Sequence, residues 1–462
     1  MSDWLDMLRG AYNFALRERV EAYKQVKAPL IGNYCLIENQ AECCPLACSV
    51  NKSALYGYPW TKAGKRRSAY LQQDACLPQL KAERPWYKRV NADVLQMNLR
   101  RLNEAFTRFF DDQKKPESKR LGIGFPKPKR RSKFKSFSYK PGQVRIEGNR
   151  VRLPGIGWMT FFNSRPIPEG FDIRTVTVRQ KSDGWYISVR LQDKSIPAPA
   201  TVAIEEVQAP IGVDLGINKL ASLSTGETIA NPRFGQQQER RQAIRQRRAS
   251  RKKKGSKNRR KAYQQLAKLG GKIEQQRNDF QWKLANQLAG QSDCIVFENL
   301  NIQGMSARCK PKTDPETGAF LPNAQAAKSG LNQAILDASW YSLKQKVKAV
   351  AAKSGTIAWE VDPRYTSQTC PVCGYVSPTN RNKEKFLCEC CAHHDDADVN
   401  GAVNILNRGL KQLGISVAGV PREFTPSSEL TGLSSERMSS VVVRNTEPEN
   451  PLQRSLTERR GA

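Results

Sequence analysis

The sequence predicts a multidomain α+β chain, and three stretches of its 462 residues carry that prediction. Leu95, Leu99, Leu102, Phe106, Phe109 and Phe110 recur at helical spacing, the mark of an amphipathic helix with one apolar stripe. Residues 143–192 break into short alternating runs separated by turns, the mark of small strands. Beyond residue 208, buried-type strands alternate with long helices, and two cysteine knuckles interrupt the pattern near its end.

Taken in order, residues 1–27 read as helix and 28–90 as irregular, with Pro, Cys and Gly scattered through them. The stripe from Leu95 to Phe110 belongs in a core. A basic loop follows, Gly124-Phe-Pro-Lys-Pro-Lys-Arg-Arg-Ser-Lys-Phe-Lys-Ser-Phe-Ser-Tyr139, in which rings alternate with cations. A charge run alone is a solvated face, but rings between cations suit nucleic acid, stacking on bases while Lys127, Lys129, Arg130, Arg131 and Lys133 hold phosphates. Val144-Arg-Ile, Val151-Arg-Leu, Trp158-Met-Thr-Phe, Thr175-Val-Thr-Val and Trp185-Tyr-Ile-Ser-Val-Arg-Leu then suggest a small β-barrel or sandwich. Residues 193–207 read as a linker. Ile211-Gly-Val-Asp-Leu-Gly-Ile217 is a strand with an acid at its centre. A second basic segment, 240–261, holds Arg251, Lys252, Lys253, Lys254, Arg259 and Arg260. Leu266, Leu269, Ile273, Phe280, Leu284 and Leu288 mark a long helix into the strand Cys294-Ile-Val-Phe-Glu298. One more helix is expected over 331–353, then the strand Thr356-Ile-Ala-Trp-Glu-Val361. Residues 411–462 carry few large apolar side chains and read as disordered.

Lys and Arg total 76 against 43 Asp and Glu, a formal charge of +33. That surplus argues against an enzyme of small molecules and for a polyphosphate partner. The longest apolar runs, near 292–297, are far too short to span a bilayer, so no membrane is expected. Met1-Ser-Asp-Trp-Leu-Asp-Met-Leu opens an amphipathic helix rather than a secretory leader. Twelve cysteines in motifs or singly imply a reducing compartment with zinc rather than disulfides. A cytoplasmic, nucleoid-associated protein is the expectation.

Cys370-Pro-Val-Cys373 and Cys388-Glu-Cys-Cys391 are two C-x2-C knuckles about fifteen residues apart. Each knuckle sets two sulfurs on one side of an ion, so together they suit one closed, structural, tetrahedral Zn²⁺. Three acids stand out by placement. Asp214 lies mid-strand among apolar residues, Glu298 ends an apolar strand, and Asp398 starts a helix with Ala402, Val403, Leu406 and Leu410 on one side. A carboxylate in an apolar strand is costly unless paired or bound to metal. Three together would make a Mg²⁺ site with room for substrate phosphate, and two ions about 4 Å apart could run phosphodiester hydrolysis. Singly, each acid could equally be a salt bridge or a cap.

Gly212-Val-Asp-Leu-Gly216, Phe297-Glu-Asn-Leu300, Thr366-Ser-Gln-Thr-Cys370-Pro-Val-Cys373-Gly374 and Asp398-Val-Asn-Gly-Ala-Val-Asn-Ile405 resemble, in this order, the motifs of TnpB. This is the OrfB family of bacterial insertion sequences, related to type V CRISPR effectors. The resemblance runs from about Val94 to Gly409 and implies an RNA-guided DNA endonuclease. It implies a helical recognition domain (1–135), a β-barrel wedge domain and linker (136–207), and a RuvC-like, RNase H-type nuclease domain (208–362 and 396–411). A zinc-binding insert (363–395) and a disordered tail (412–462) complete the layout. It further implies Asp214, Glu298 and Asp398 as catalytic acids on two Mg²⁺ ions, Cys370, Cys373, Cys388 and Cys391 as ligands of one Zn²⁺, and a guide RNA and double-stranded DNA as partners. A homodimer is compatible with the sequence.

Three departures follow from the same comparison. The family usually has a β-strand before its first helix, whereas this chain opens inside that helix, so part of the wedge barrel and its role in flank recognition are in question. Ala392 stands where a glycine normally follows the last cysteine, which calls for a backbone outside the left-handed region there. Asp395 and Asp396 crowd the third acid, leaving Asp396 as an alternative to Asp398. A nuclease-silent RNA-guided regulator and a compact type V CRISPR effector remain alternative readings. A tyrosine transposase with a paired-histidine metal site does not fit the adjacent His393 and His394. Cys35, Cys43, Cys44 and Cys48 lack the spacing of a second knuckle and read as buried thiols.

Overall fold

The computed structural model describes residues 1–27, 69–195 and 199–415. Cys35, Cys43, Cys44, Cys48 and most of the tail lie outside the described residues. The chain forms two compact units, Met1–Ala198 with Glu239–Gln275, and Pro199–Gln238 with Gln276–Ala462.

The first unit opens with α1 (Ser2–Lys27), α2 (Ala69–Ala75), α3 (Leu77–Glu83) and α4 (Ala92–Gln113). Residues 69–89 are therefore helical where composition suggested irregular chain. The reason is positional, because Pro78 sits in the first turn of α3 and Pro85 opens a 3-10 turn, places where a missing N–H costs no helix bond. The Asn91 side chain caps α4 by accepting from the amides of Asp93 and Val94. Leu95, Leu99 and Leu102 are buried as the stripe predicts, while Phe110 outruns the core and is exposed.

The basic loop needs a correction. Phe134, Phe137 and Tyr139 are buried, not free to stack on bases. Ser136–Tyr139 is a strand, β1, whose alternate residues Phe137 and Tyr139 turn inward. Strands β2 (Arg145–Glu147), β3 (Arg150–Leu153) and β4 (Gly157–Thr160) form one three-stranded sheet. Strands β5 (Asp172–Gln180) and β6 (Trp185–Gln192) join β1 in another. In β3, Val151 and Leu153 face the core, so Arg150 and Arg152 face out. Register sets Arg145 and Trp158 beside Arg152, and the Arg150 guanidinium lies 5.2 Å over the Trp158 ring.

The second unit is built on a five-stranded sheet of order β13-β10-β7-β8-β9, from β7 (Pro210–Leu215), β8 (Lys219–Leu223), β9 (Thr228–Ala230), β10 (Cys294–Glu298) and β13 (Ile357–Val361). The helix α5 (Phe234–Ser250) and the long α6 (Lys257–Gln291) precede β10, and residues 239–275 of them count with the first unit. After β10 come α7 (Ile302–Met305), a ribbon of β11 (Lys312–Thr313) and β12 (Phe320–Leu321), α8 (Gln325–Ala338) and α9 (Trp340–Ser354). The single helix expected over 331–353 is thus two, broken at Ser339, whose φ of 56° is left-handed. The small strands β14 (Arg381–Asn382), β15 (Lys385–Leu387) and β16 (His394–Asp396) then lead into α10 (Ala397–Leu413).

Strand periodicity sorts this unit into two layers. Ile211, Val213, Leu215, Ile295 and Phe297 join Leu284 and Leu288 of α6 and Trp340, Leu343 and Val347 of α9 in one core. The alternate residues Cys294 and Val296 face Ile405, Leu406 and Leu410 of α10 in the other. By the same parity Gly212, Asp214 and Glu298 lie on the α10 side. Glycines allow the close approach. A Cβ at Gly212 would run into the Ala402 carbonyl, and one at Gly409 would come within 2.6 Å of the Val296 methyls. Among the described residues no helix is long and apolar enough to cross a membrane.

Gly212→Ala should therefore destabilise the second unit by about 3 kcal/mol, at the upper end of what overpacking costs, because strand and helix backbone must part. A urea denaturation midpoint equal to wild type would contradict this.

Candidate metal centres

The sulfur site is compact. Sγ atoms of Cys370, Cys373, Cys388 and Cys391 all lie within 4.8 Å of one another. Cys370 and Cys391 are 3.6 Å apart, and Cys373 and Cys388 are 3.5 Å apart. A tetrahedron with Zn–S bonds of about 2.3 Å has edges of about 3.8 Å, so the donor set fits one Zn²⁺. Cys370 and Cys388 are buried with Phe386 and Ala397, while Cys373 and Cys391 are exposed. The Tyr375 amide draws the Cys373 thiol down to about 7.

Both knuckles turn in the same way. The amide of Gly374 returns to the Cys370 carbonyl at 3.0 Å, and that of Ala392 to the Cys388 carbonyl at 3.0 Å. The residue after each second cysteine is left-handed, Gly374 at φ 78° and Ala392 at φ 57°. This overturns the expectation that Ala392 avoids that region. The turn that closes the knuckle imposes it, and alanine bears the strain.

The acidic site forms where β7, β10 and α10 meet. Phe297 pairs with Val213 in parallel register, so Glu298 and Asp214 follow side by side at the strand ends. Gly401 of α10 faces Asp214, and a Cβ there would lie 3.1 Å from its Oδ2. Asp398, one turn earlier, accepts from Arg381 Nη2 at 2.8 Å. Burial, with the negative charges of Glu298 and Asp398, pushes Asp214 up to about 7, against which Arg381 and the Leu215 amide pull. Burial also raises Glu298, offset by the Thr366 hydroxyl donating to its Oε1 at 2.5 Å and by Arg408, Lys344 and Arg381. Oxygen donors crowded together in this way suit Mg²⁺, whose charge would relieve their repulsion.

Asp396 has other duties. Its Oδ1 caps α10 by accepting from the amides of Asp398 and Val399, and its Oδ2 pairs with Lys219 at 2.8 Å. Asp395 is exposed. A cleft of about 1060 Å³ beside Asp398 is lined by Asn218, Lys219, Trp340, Arg381 and Lys383. Asn404 Nδ2 donates to the Thr366 and Thr369 carbonyls, and Asn400 Nδ2 to that of Thr369, so α10 holds the segment leading to the knuckle.

The basic residues singled out in the sequence belong to the first unit. Lys127, Arg130, Arg131 and Lys133 are exposed, with Arg131 on Asp6 at 2.6 Å. Lys129 is half-buried, its ammonium 5.6 Å over Tyr12. Arg251, Lys252, Lys253 and Lys254 fill the exposed turn after α5, and Arg260 is exposed on α6. Arg259 instead closes that turn, donating to the Lys252 carbonyl at 2.9 Å. Sequence reasoning missed Arg381, Thr366, Lys344 and Lys219 at the acidic site. Thr366 opens a motif already singled out, whereas nothing in the spacing marks the other three.

One centre is rich in oxygen and the other in sulfur, on a mixed α+β chain with a basic surface. Residues 187–308 match the family described as a probable transposase (OrfB of IS605), and residues 340–405 match the Cas12f1-like TNB domain. A curated protein of Streptomyces pristinaespiralis named as a putative RNA-guided DNA endonuclease is 33% identical over 359 residues, 75% of this chain and 79% of that protein. The Escherichia coli K12 protein named as putative RNA-guided DNA endonuclease InsQ is 30% identical over 352 residues, 75% of this chain and 82% of its own. Among solved structures, a Cas12f1–sgRNA–target DNA complex aligns over 88% of this chain at 15% identity and a TM-score of 0.30. The chain belongs to the TnpB (OrfB) family.

Two outcomes follow. A carboxyl whose folded-state pKa lies above its unfolded value of about 3.9 stabilises the fold while protonated, fully below about pH 4 and no longer once pH passes about 7. In Mg²⁺-free buffer the melting temperature of the second unit should thus fall between about pH 4 and pH 7, and Asp214→Asn should remove most of the fall. A profile identical in the two proteins would contradict it. Ala392→Gly should relieve about 1 kcal/mol of left-handed strain, seen as slower zinc transfer to a chromogenic chelator. Faster transfer would contradict it.

Proposed function

We propose that this protein is an RNA-guided DNA endonuclease of a mobile element, cutting guide-matched DNA at the acidic face. The observation that carries the reading is the convergence of Asp214, Glu298 and Asp398 on the α10 side of the sheet in a chain of charge +33. Its relatives' names point the same way.

When bound, two Mg²⁺ ions would activate a water and stabilise the departing 3′ oxygen. Asp214, Glu298 and Asp398 would hold them, with Thr366 fixing the Glu298 carboxylate. Lys219, Lys383 and Lys385 on the cleft wall attract the scissile strand. The four cysteines would hold a structural zinc, which would fix the segment carrying Arg381.

Residues 127–133 and 251–260 supply charge for phosphate backbones, and the outward face of β2–β4 adds arginines with a ring among them. None of these offers the fixed bidentate array that reads bases in a groove. Target choice therefore comes from pairing between bound RNA and one DNA strand, with the protein reading a short flank and the shape of the hybrid. The RNA derives from the end of the element.

Asp214→Ala, Glu298→Ala and Asp398→Ala should each lower cleavage at least about 100-fold while RNA and target binding persist, since one metal ligand is lost and no binding surface is. Asp396→Ala should cut and lose stability only, by about 1 kcal/mol for the missing cap. The assay is plasmid cleavage by RNA-loaded protein in Mg²⁺, with the guide segment rewritten as a control. Cleavage that ignores the guide, or full activity in Asp398→Ala beside a dead Asp396→Ala, would overturn the assignment.

A further inference from the structure

Lys344 is 3% exposed, yet carries a charge. Its ammonium lies 3.1 Å from Oε1 of Glu360, which faces Phe297 across the β10–β13 ladder. Glu360 already has a partner, because Lys348, one turn on along α9 and open to solvent, sits 2.9 Å from the same oxygen. A lysine reaching from water satisfies that carboxylate at small desolvation cost. A second lysine taken out of water to meet it is expensive, so the ion pair alone does not account for Lys344.

Lys344 does something Lys348 does not. It donates to the backbone carbonyl of Glu298 at 3.0 Å. Glu298 ends β10, and the next amide, Asn299, bonds the Val361 carbonyl at 2.8 Å. Thr366 takes the carboxylate end of the same residue. Glu298 is thus pinned at main chain and side chain by groups from two different elements. We infer that Lys344 is a positioning residue, fixing the strand end from which Glu298 presents its carboxylate to the metal-binding face. Glu360 anchors the ammonium between the two strands. The inference rests on the reading of Glu298 as a metal ligand.

The test uses RNA-loaded protein with two readouts, Mn²⁺ affinity from the EPR signal of the free ion and the rate of guided cleavage. Lys344→Met should weaken Mn²⁺ binding and slow cleavage, each by about tenfold, the lower end of what a group supporting a metal ligand is worth. Lys344→Arg should restore most of both, and Lys348→Met should leave both at wild-type values. Because Lys344→Met leaves a carboxylate with one partner fewer, the paired variant Lys344→Met/Glu360→Gln removes the buried charges together and guards against misfolding. It should melt near wild type and keep the metal defect. Wild-type Mn²⁺ affinity in that variant would overturn the inference, as would Lys348→Met behaving like Lys344→Met. Glu298→Ala that still cuts would instead overturn the reading of the site itself.

Discussion

The second unit depends on one close approach, that of α10 to the strands β7 and β10. Gly212, Gly401 and Gly409 each remove a side chain where helix and sheet would otherwise be held apart. The first lets backbone meet backbone, the second leaves space for the Asp214 carboxylate, and the third seats the helix on Val296. Without this contact Asp398 could not share a face with acids on two strands. Packing geometry comes first here, and the electrostatics of the site follow from it.

Those electrostatics are unfavourable by themselves. Three carboxylates gather near an apolar layer, and the pull toward protonation of Asp214 is the expected response. The surroundings answer at each carboxylate. Thr366 and the lysine-held strand end steady Glu298, Arg381 meets Asp398, and Asn400 and Asn404 fasten the chain before the knuckle to the same helix. Among the described residues six besides glycine take left-handed backbone, Arg233, Ala324, Ser339, Tyr365, Lys383 and Ala392.

Much of this was legible in the sequence because period and spacing are local signals. The strand bearing Asp214, the strand ending at Glu298, the helix after Asp398 and the four cysteines stand where pattern placed them. Legibility failed where tertiary context decides. Phe134, Phe137 and Tyr139 looked like stacking rings among cations, but all three are buried, Phe137 and Tyr139 because β1 hydrogen-bonds to β5 and turns them inward. Pro78 and Pro85 looked like breakers, though a helix start tolerates them. Arg381, Lys344 and Lys219 meet their partners 17, 46 and 177 residues away along the chain, a distance no window can see.

Arg381 has a consequence beyond its contact. It belongs to β14, between the two cysteine pairs, so its position is set by the knuckle and not by the sheet. The cysteine-bearing segment therefore lends the positive charge that meets Asp398 and restrains Asp214. Loosening that segment would withdraw the charge, and Asp214, whose proton affinity Arg381 now restrains, would hold its proton still more firmly. A reagent that modifies the thiols would reach the carboxylates in this way without touching them. The two centres have separate ligands and one electrostatic ledger.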